Sequence, residues 1–475
     1  MAEFMRNSDA FAWSMEHDPR LRSTIVSIVL LDRAPDWQHM VDRFDRISRI
    51  VPMFRQRVLP SPMLAPPRWE SAPDFDLEFH VRRVAVPADL ERGEESPPGE
   101  RARREREFVL GMARVAAMAD FDRARPLWEV TLIEGFAGGG AALLCKLHHA
   151  LTDGIGAVEI ARNLYDSTAR LRDLPPLPDA PAAAAAGPLD TVRDTLTYQA
   201  GLAVTAVTGA LAAVPALVGN VRHPVGAATA AWNAAASIYR TMRPLTRPGS
   251  PIMRDRTLRR RVGTHEVPKD LLQRAGHAGG GSINDAFLAA VAGGIRLYHE
   301  KHDVGVGDLI VTMPISLRTD DDPIGGNRVT LMRFGVPAAI ADAAQRIRAV
   351  HQQTGAVRGE KSLPYTQLIA GALNVMPRWY VGSVLCNVDV VASDVPGFPA
   401  PVYLSGSKVL GQFAFAPTIG AAVNVTLLSY ADTCELGVNA DAGAIPDFDV
   451  FLECLAAGFD EVLALARPPR DARPG

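Results

Sequence analysis

An α+β fold is predicted for this chain, and three observations predict it. Strand-like and helix-like hydrophobic patterns are interspersed along both halves, with no regular strand–helix period. A Pro- and Ala-rich stretch parts two regions of similar content, which are candidates for two related folds. The chain has 475 residues, 48% of them hydrophobic, which suits a sizeable core and about two or three domains. The predicted division is residues 1–175, a linker with helices over 176–250, and residues 251–475.

Residues 23–31, Ser-Thr-Ile-Val-Ser-Ile-Val-Leu-Leu, read as a buried strand. Over 36–50, Trp37, Met40, Val41, Phe44 and Ile47 recur at helical spacing. Short strands and Pro-rich turns follow to about residue 87. Residues 91–107 are dense in charge of both signs, which reads as a solvated loop and helix face. Pro126 to Glu134 and Ala141 to Leu147 are neighbouring strands, joined through a glycine-rich hairpin at 135–140. Residues 174–187 read as a linker, and roughly 189–242 as Ala-rich helix closed by Pro244, Pro248 and Pro251. In the second half, Ser282 is a plausible N-cap for a helix over 282–299 with Ile283, Ala286, Phe287, Ala290, Val291 and Ile295 on one side. Leu309–Pro314, 328–336, 421–430 and 434–440 are strands, and 447–466 is a closing helix.

Composition excludes several function classes. A net charge of -3 supplies no basic field for nucleic acid. Cys145, Cys386, Cys434 and Cys454 lack paired spacing, which argues against a disulfide framework or a zinc site and fits a reducing compartment. The first residues carry no apolar core of a secretion signal. Residues 201–219 are uncharged and long enough to span a bilayer. They are Ala-dominated and interrupted by Pro215, so a buried or interfacial helix is the preferred reading. The expected location is cytoplasmic, including the inner face of the plasma membrane or a lipid-droplet surface.

The most informative segment is the apolar run ending in His148-His149, followed after three residues by Asp153-Gly154. A neutral imidazole at a strand end can take a proton from a hydroxyl and return it to a leaving group. Adjacent residues of an extended segment point to opposite faces, so only one histidine can face a reacting centre. His149 is the candidate base, His148 its support, and Asp153 a carboxylate that fixes the loop, with an arginine as partner. Gly154 permits a close backbone turn. Two other readings compete: a pair of hydrogen-bonded core histidines, and a metal site. The metal reading has neither His-Glu-x-x-His spacing nor a third ligand in suitable context.

The spacing resembles the motif of the CoA-dependent acyltransferase superfamily, which includes chloramphenicol acetyltransferases, peptide-synthetase condensation domains and plant acyltransferases. Further blocks narrow the resemblance. Arg125-Pro126-Leu127-Trp128-Glu129, Ile283-Asn284-Asp285-Ala286-Phe287, and Met313-Pro314-Ile315-Ser316-Leu317-Arg318 with Gly326-Asn327 are similar to blocks of bacterial wax ester synthase/diacylglycerol acyltransferases, in family order. Two chloramphenicol-acetyltransferase-like domains, joined by the linker with Ala-rich helices, are the implied architecture. A site at the interface of the two is expected.

The resemblance implies His149 as catalytic base, with His148 and Asp153 beside it. It offers Gly154, Asn284, Asp285, Trp128 and Pro126 as substrate-binding residues. Asn284 would position substrate or stabilise an oxyanion, against a competing role as helix cap. Asp285 would hold the two halves together. Trp128 and Pro126 would line the acyl channel, although a strand-opening Pro-Leu-Trp run reads equally as core. Arg318 is the candidate partner of Asp153, with Arg55 and Arg57 as rivals. One block departs from the family: Ser393-Asp394-Val395-Pro396-Gly397-Phe398 stands where Asn-Val-Pro-Gly-Pro is usual.

The implied reaction is transfer of a fatty acyl group from acyl-CoA to diacylglycerol or a long-chain alcohol, without an acyl-enzyme. No Gly-x-Ser-x-Gly elbow argues for a serine nucleophile. No metal and no cofactor is expected beyond acyl-CoA as co-substrate. The CoA-contacting residues leave no mark, since no phosphate-binding glycine loop is present. Two alternatives stand beside it: acyl transfer that uses a carrier-protein thioester or a polyketide alcohol, and a catalytically silent lipid-binding protein.

Overall fold

A computed structural model describes residues 3–62, 65–87, 97–180, 192–200, 243–316, 326–327, 329–358 and 366–467. The first half is organised by a seven-stranded sheet. Trp128–Glu134 and Ala141–His148 pair antiparallel, with Trp128 opposite Leu147. Ala141–His148 pairs in turn with Thr24–Leu31, with His148 opposite Thr24. One face is covered by the helix Trp37–Ile50, whose N-terminus is capped by Asp36 accepting from the His39 N–H. Its stripe of Met40, Phe44 and Ile47 is buried, as the spacing predicts. The other face is covered by the helix Pro98–Met118. Of the charged stretch read from sequence, residues 98–107 form the start of this helix. It continues because Val109, Ala113 and Ala117, four residues apart, pack on Val26, Ile28 and Leu144.

The second half is built on a six-stranded mixed sheet. Its order is Val329–Pro337, Asp308–Ser316, Val390–Val395, Val423–Tyr430, Thr433–Asp441 and Arg260–Pro268. The helix Ile283–Glu300 begins in a capping box of Ser282 and Asp285 and packs on the closing helix Phe448–Leu463. These helices meet at two glycines. A Cβ on Gly458 would lie 2.3 Å from the Gly294 nitrogen, so the backbones touch only because neither residue has a side chain.

The two halves are interlocked. The strand Ser407–Phe415 leaves the second half and pairs antiparallel with Thr24–Leu31, placing Phe413 opposite Ile28. Tyr403–Leu404 and Tyr165–Asp166 extend the same sheet. Contacts return in the other direction: the Gly326 N–H donates to the Leu151 carbonyl at 2.7 Å, and Ser8 Oγ donates to the Asn327 carbonyl at 2.9 Å. The division drawn at residue 251 follows the sequence, but the first sheet draws two strands from beyond it. Residues 192–200 are helical. The rest of the Ala-rich region, including the apolar stretch 201–219, lies outside the described residues. Among the described residues no helix is long and apolar enough to cross a membrane.

Candidate active site

The strand Ala141–His148 ends where two adjacent histidines part company. His148 is fully buried, between the rings of Trp13 and Phe121 at centroid distances of 5.6 and 5.9 Å. Its Nδ1 accepts from the Ala150 N–H at 3.0 Å, which puts the ring proton of the neutral form on Nε2. That atom lies 3.3 Å from Glu16 Oε1. Glu16 also accepts from the Ser23 N–H at 2.6 Å. Burial pushes the Glu16 carboxyl up, but the hydrogen bond and charge of His148, the Ser23 N–H and Arg22 together hold it below its ordinary value. His148 is thus anchored inside the first half.

His149 turns the other way. Its main-chain N–H donates to the Ser23 carbonyl at 2.8 Å, and its side chain reaches the walls of two cavities. Nδ1 is sealed from solvent and meets no partner at regular hydrogen-bond geometry. Burial pushes the imidazole below its ordinary value and the His148 ring adds to this. The charge of Asp153 and the residue's own carbonyl oppose the shift without reversing it. The ring is therefore neutral near pH 7, the state a proton acceptor requires.

Asp153 is fully buried and caps the helix Gly154–Ala161, its Oδ1 accepting from the Gly156 N–H at 2.8 Å. Gly154 brings this helix against the second half: a Cβ there would lie 2.8 Å from Val395 Cγ2. Thr152 and Gly326 form a bridge alongside. The motif thus sits where the halves meet.

Both cavities include His149 and Val329 in their walls. The first, of about 120 Å³, lies among Ala12, Met15, Leu331, Arg333, Leu373 and Val388. The second, of about 200 Å³, is walled by Phe54, Trp128, Leu164, Tyr165, Phe398 and Leu428. Trp128 is fully buried, donates from Nε1 to the Phe54 carbonyl at 2.8 Å, and stacks on His80 at 4.5 Å. It reaches the cavity from the core. Pro126 is buried and lies on neither cavity wall.

Other candidates fall elsewhere. Ser282, not Asn284, caps its helix. Asn284 Nδ2 lies 3.8 Å from Met313 Sδ, its Oδ1 is buried without a partner, and the residue borders neither cavity. Asp285 does not join the two halves. The capping box folds its carboxylate back onto Ser282, and Thr354 Oγ1 and His351 Nδ1 approach it at 2.7 and 2.8 Å. All these partners belong to the second half. Arg55 pairs with Asp45 and Arg57 with Glu70, which leaves neither as partner of Asp153. Arg318 lies outside the described residues.

The departing block borders the second cavity. Burial pushes the Asp394 carboxyl up to about 6, with Lys269 offsetting part of the shift. Phe398 meets Tyr165 edge-on at 5.1 Å. Sequence reasoning missed Glu16, which carries no motif and meets His148 only through folding. It also missed Arg333, one arginine among many, on a strand whose other residues carry no charge. Among the described residues, no three His, Cys, Asp or Glu side chains come together to hold a metal ion.

The family model of the wax ester synthase/diacylglycerol acyltransferase catalytic domain matches residues 5–287, and that of the WS/DGAT C-terminal domain matches 325–462. A Mycobacterium tuberculosis protein provisionally named diacyglycerol O-acyltransferase is 37% identical over 464 residues, covering 96% of this chain and 90% of the relative. A second, similarly named protein of that species is 29% identical over 469 residues, covering 93% of each chain. The wax ester synthase/diacylglycerol acyltransferase of Marinobacter aquaeolei VT8 superposes with a TM-score of 0.62 at 20% identity, over 98% of this chain and 99% of the other. The starter condensation domain of rhizomide synthetase, solved with C8-CoA, gives a TM-score of 0.61 at 11% identity, over 98% and 95%. The two structures speak for the fold alone. The two family models and the 37% identical relative, which aligns with almost the whole chain, establish that this chain belongs to the wax ester synthase/diacylglycerol acyltransferase family.

Proposed function

We propose that this protein transfers a fatty acyl group from acyl-CoA to the hydroxyl of diacylglycerol, forming triacylglycerol, and accepts long-chain alcohols as a second acceptor class. One observation carries the reading: a histidine kept neutral by burial stands on the shared wall of two cavities. An acyl transfer between two bulky substrates needs that arrangement, since donor and acceptor must reach one base from different sides.

Nδ1 is sealed, so Nε2 of His149 is the nitrogen offered to the cavities. It takes the proton of the acceptor hydroxyl as the oxygen bonds to the thioester carbon. The tetrahedral intermediate then expels the thiolate, the C–S bond breaks, and the proton on Nε2 passes to sulfur. Ester and free CoA result, with no acyl-enzyme and no metal. Asp153 positions the base by capping the following helix, and His148 anchors the turn through Glu16. The lipid acceptor would be drawn from a membrane or droplet surface.

Radiolabelled oleoyl-CoA offered with diacylglycerol and with hexadecanol tests this, comparing wild type with His149→Ala. Triacylglycerol from the wild type and its loss in the variant is the expected result. Equal product from both proteins would sink the base assignment. No product from either acceptor would sink the acyl-transfer reading itself.

A further inference from the structure

Among the described residues lining the first cavity, Arg333 is the only one with a permanent charge. It lies on the strand Val329–Pro337, where Val329, Leu331 and Arg333 alternate onto one face. All three line the first cavity, as does Thr312, the residue paired with Arg333 across the sheet. Val329 stands at the junction with the second cavity. Arg333 is four residues further along, about 13 Å at the usual strand rise. Its guanidinium is held in place by donating to the carbonyls of Val384 and Arg243 at 2.9 and 2.8 Å. Arg243 is itself exposed, so Arg333 reaches from the cavity wall to a surface residue.

We propose that Arg333, with Arg243 beside it, is an anion site for the diphosphate of CoA, which assigns the first cavity to the thioester donor. The proposal rests on the acyl-CoA reading above. In CoA the thiol sulfur and the first diphosphate oxygen are about twelve bonds apart, the backbone of about four residues, or about 13 Å when extended. This matches the offset between the cavity junction near His149 and Arg333. A guanidinium offers a diphosphate two parallel donors in one plane. Burial and the neighbouring Arg243 both press against the Arg333 charge, a cost that a bound anion would offset. The second cavity is unsuited to the same end of the donor, since a carboxyl residue, Asp394, stands on its wall.

Steady-state kinetics on Arg333→Gln and Arg333→Lys, with two donors, tests the site. Oleoyl-CoA carries the diphosphate, and the oleoyl thioester of N-acetylcysteamine does not. For oleoyl-CoA the expected result is a KM raised about ten- to hundredfold in Arg333→Gln, the range of a lost charge-assisted hydrogen bond, with kcat within about twofold. Arg333→Lys should recover part of the loss. The short thioester should be used equally well by all three proteins, which also shows that the variants fold. Equal losses on both donors would mean a structural role, and an unchanged KM for oleoyl-CoA would mean no role; either overturns the site. If the wild type makes no ester, titration calorimetry with CoA and with pantetheine takes over. CoA binding weakened about tenfold in Arg333→Gln, with pantetheine unaffected, upholds the anion site although the acyl-transfer reading has failed. CoA binding that is equal in both proteins, or absent from both, overturns it.

Discussion

The two cavities that meet at His149 are made of different material. The first lies between the N-terminal helix Asn7–Met15, the helix Thr366–Val375 and the second half's sheet, and among the described residues that line it Arg333 alone carries a permanent charge. The second lies between the two halves' sheets and the helix Gly154–Ala161, floored by aromatic rings, with Asp394 on its wall. His149, the proposed base, is common to both. In the proposed reaction, what distinguishes donor from acceptor is therefore written in the walls and not in the histidine motif, and each wall can be altered while His149 is left alone.

The largest effect should come from removing what the cavities share. His149→Ala is expected to lower turnover about a hundred- to ten-thousandfold, by the same factor with diacylglycerol and with hexadecanol. Unequal factors would break the picture of one base serving every acceptor. Because burial holds the imidazole below its ordinary value of about 6.5, the acid limb of kcat/KM in the wild type should fall below that pH. A limb above it would contradict the desolvated site.

The next effect separates the cavities by charge. The Asp394 carboxyl is raised from 3.8 to about 6 in the folded protein. Between those values the native state holds a proton that the unfolded chain has released, so the wild type loses stability as pH rises through that window. Above it the loss is complete, up to about 3 kcal/mol. Asp394→Asn removes the dependence, so urea unfolding should find the variant more stable than wild type at pH 8 and the gap smaller at pH 4. Glu435, raised to about 8, is present in both proteins and leaves their difference unaffected. A constant gap across pH would mean that Asp394 is not buried as described.

A somewhat smaller effect probes the seam beside the second cavity. Gly154→Ala forces a methyl group onto Val395 and should cost about 1–3 kcal/mol in thermal or urea unfolding. Adding Val395→Ala should restore part of it. The absence of any restoration would place the strain elsewhere. The smallest effect concerns volume. Val158→Phe fills part of the second cavity and should shift the preferred lipid chain to shorter lengths, by about fourfold in kcat/KM for each methylene excluded. CoA titration should be unchanged, and a weakened CoA affinity would undo the division of labour between the cavities.

Much of this molecule was legible in its order of residues. The strands at 24–31, 128–134, 141–148 and 308–316, and the helices at 37–50, 283–300 and 448–463, follow from hydrophobic period and capping residues. These are local signals, carried within one or two turns of chain. The divergence of His148 and His149 follows as well, from the alternation of an extended segment. The strand at 407–415 was not legible as a member of the first sheet, because its partner lies more than 370 residues away in sequence. Asp285 was misjudged for a related reason. The family resemblance offered it as a link between the halves, whereas the capping box turns it back onto its own helix.

By itself the sequence determined the elements, the family blocks and the pair of histidines from which one base could be drawn. Tertiary structure alone decided which histidine is anchored by Glu16 and which faces the cavities, how the halves exchange a strand, and where Arg333 and Asp394 stand relative to His149. The physical reason is range. Hydrophobic period and helix caps act between neighbours in sequence, while desolvation, cavity walls and charge placement depend on residues that only the folded chain brings together.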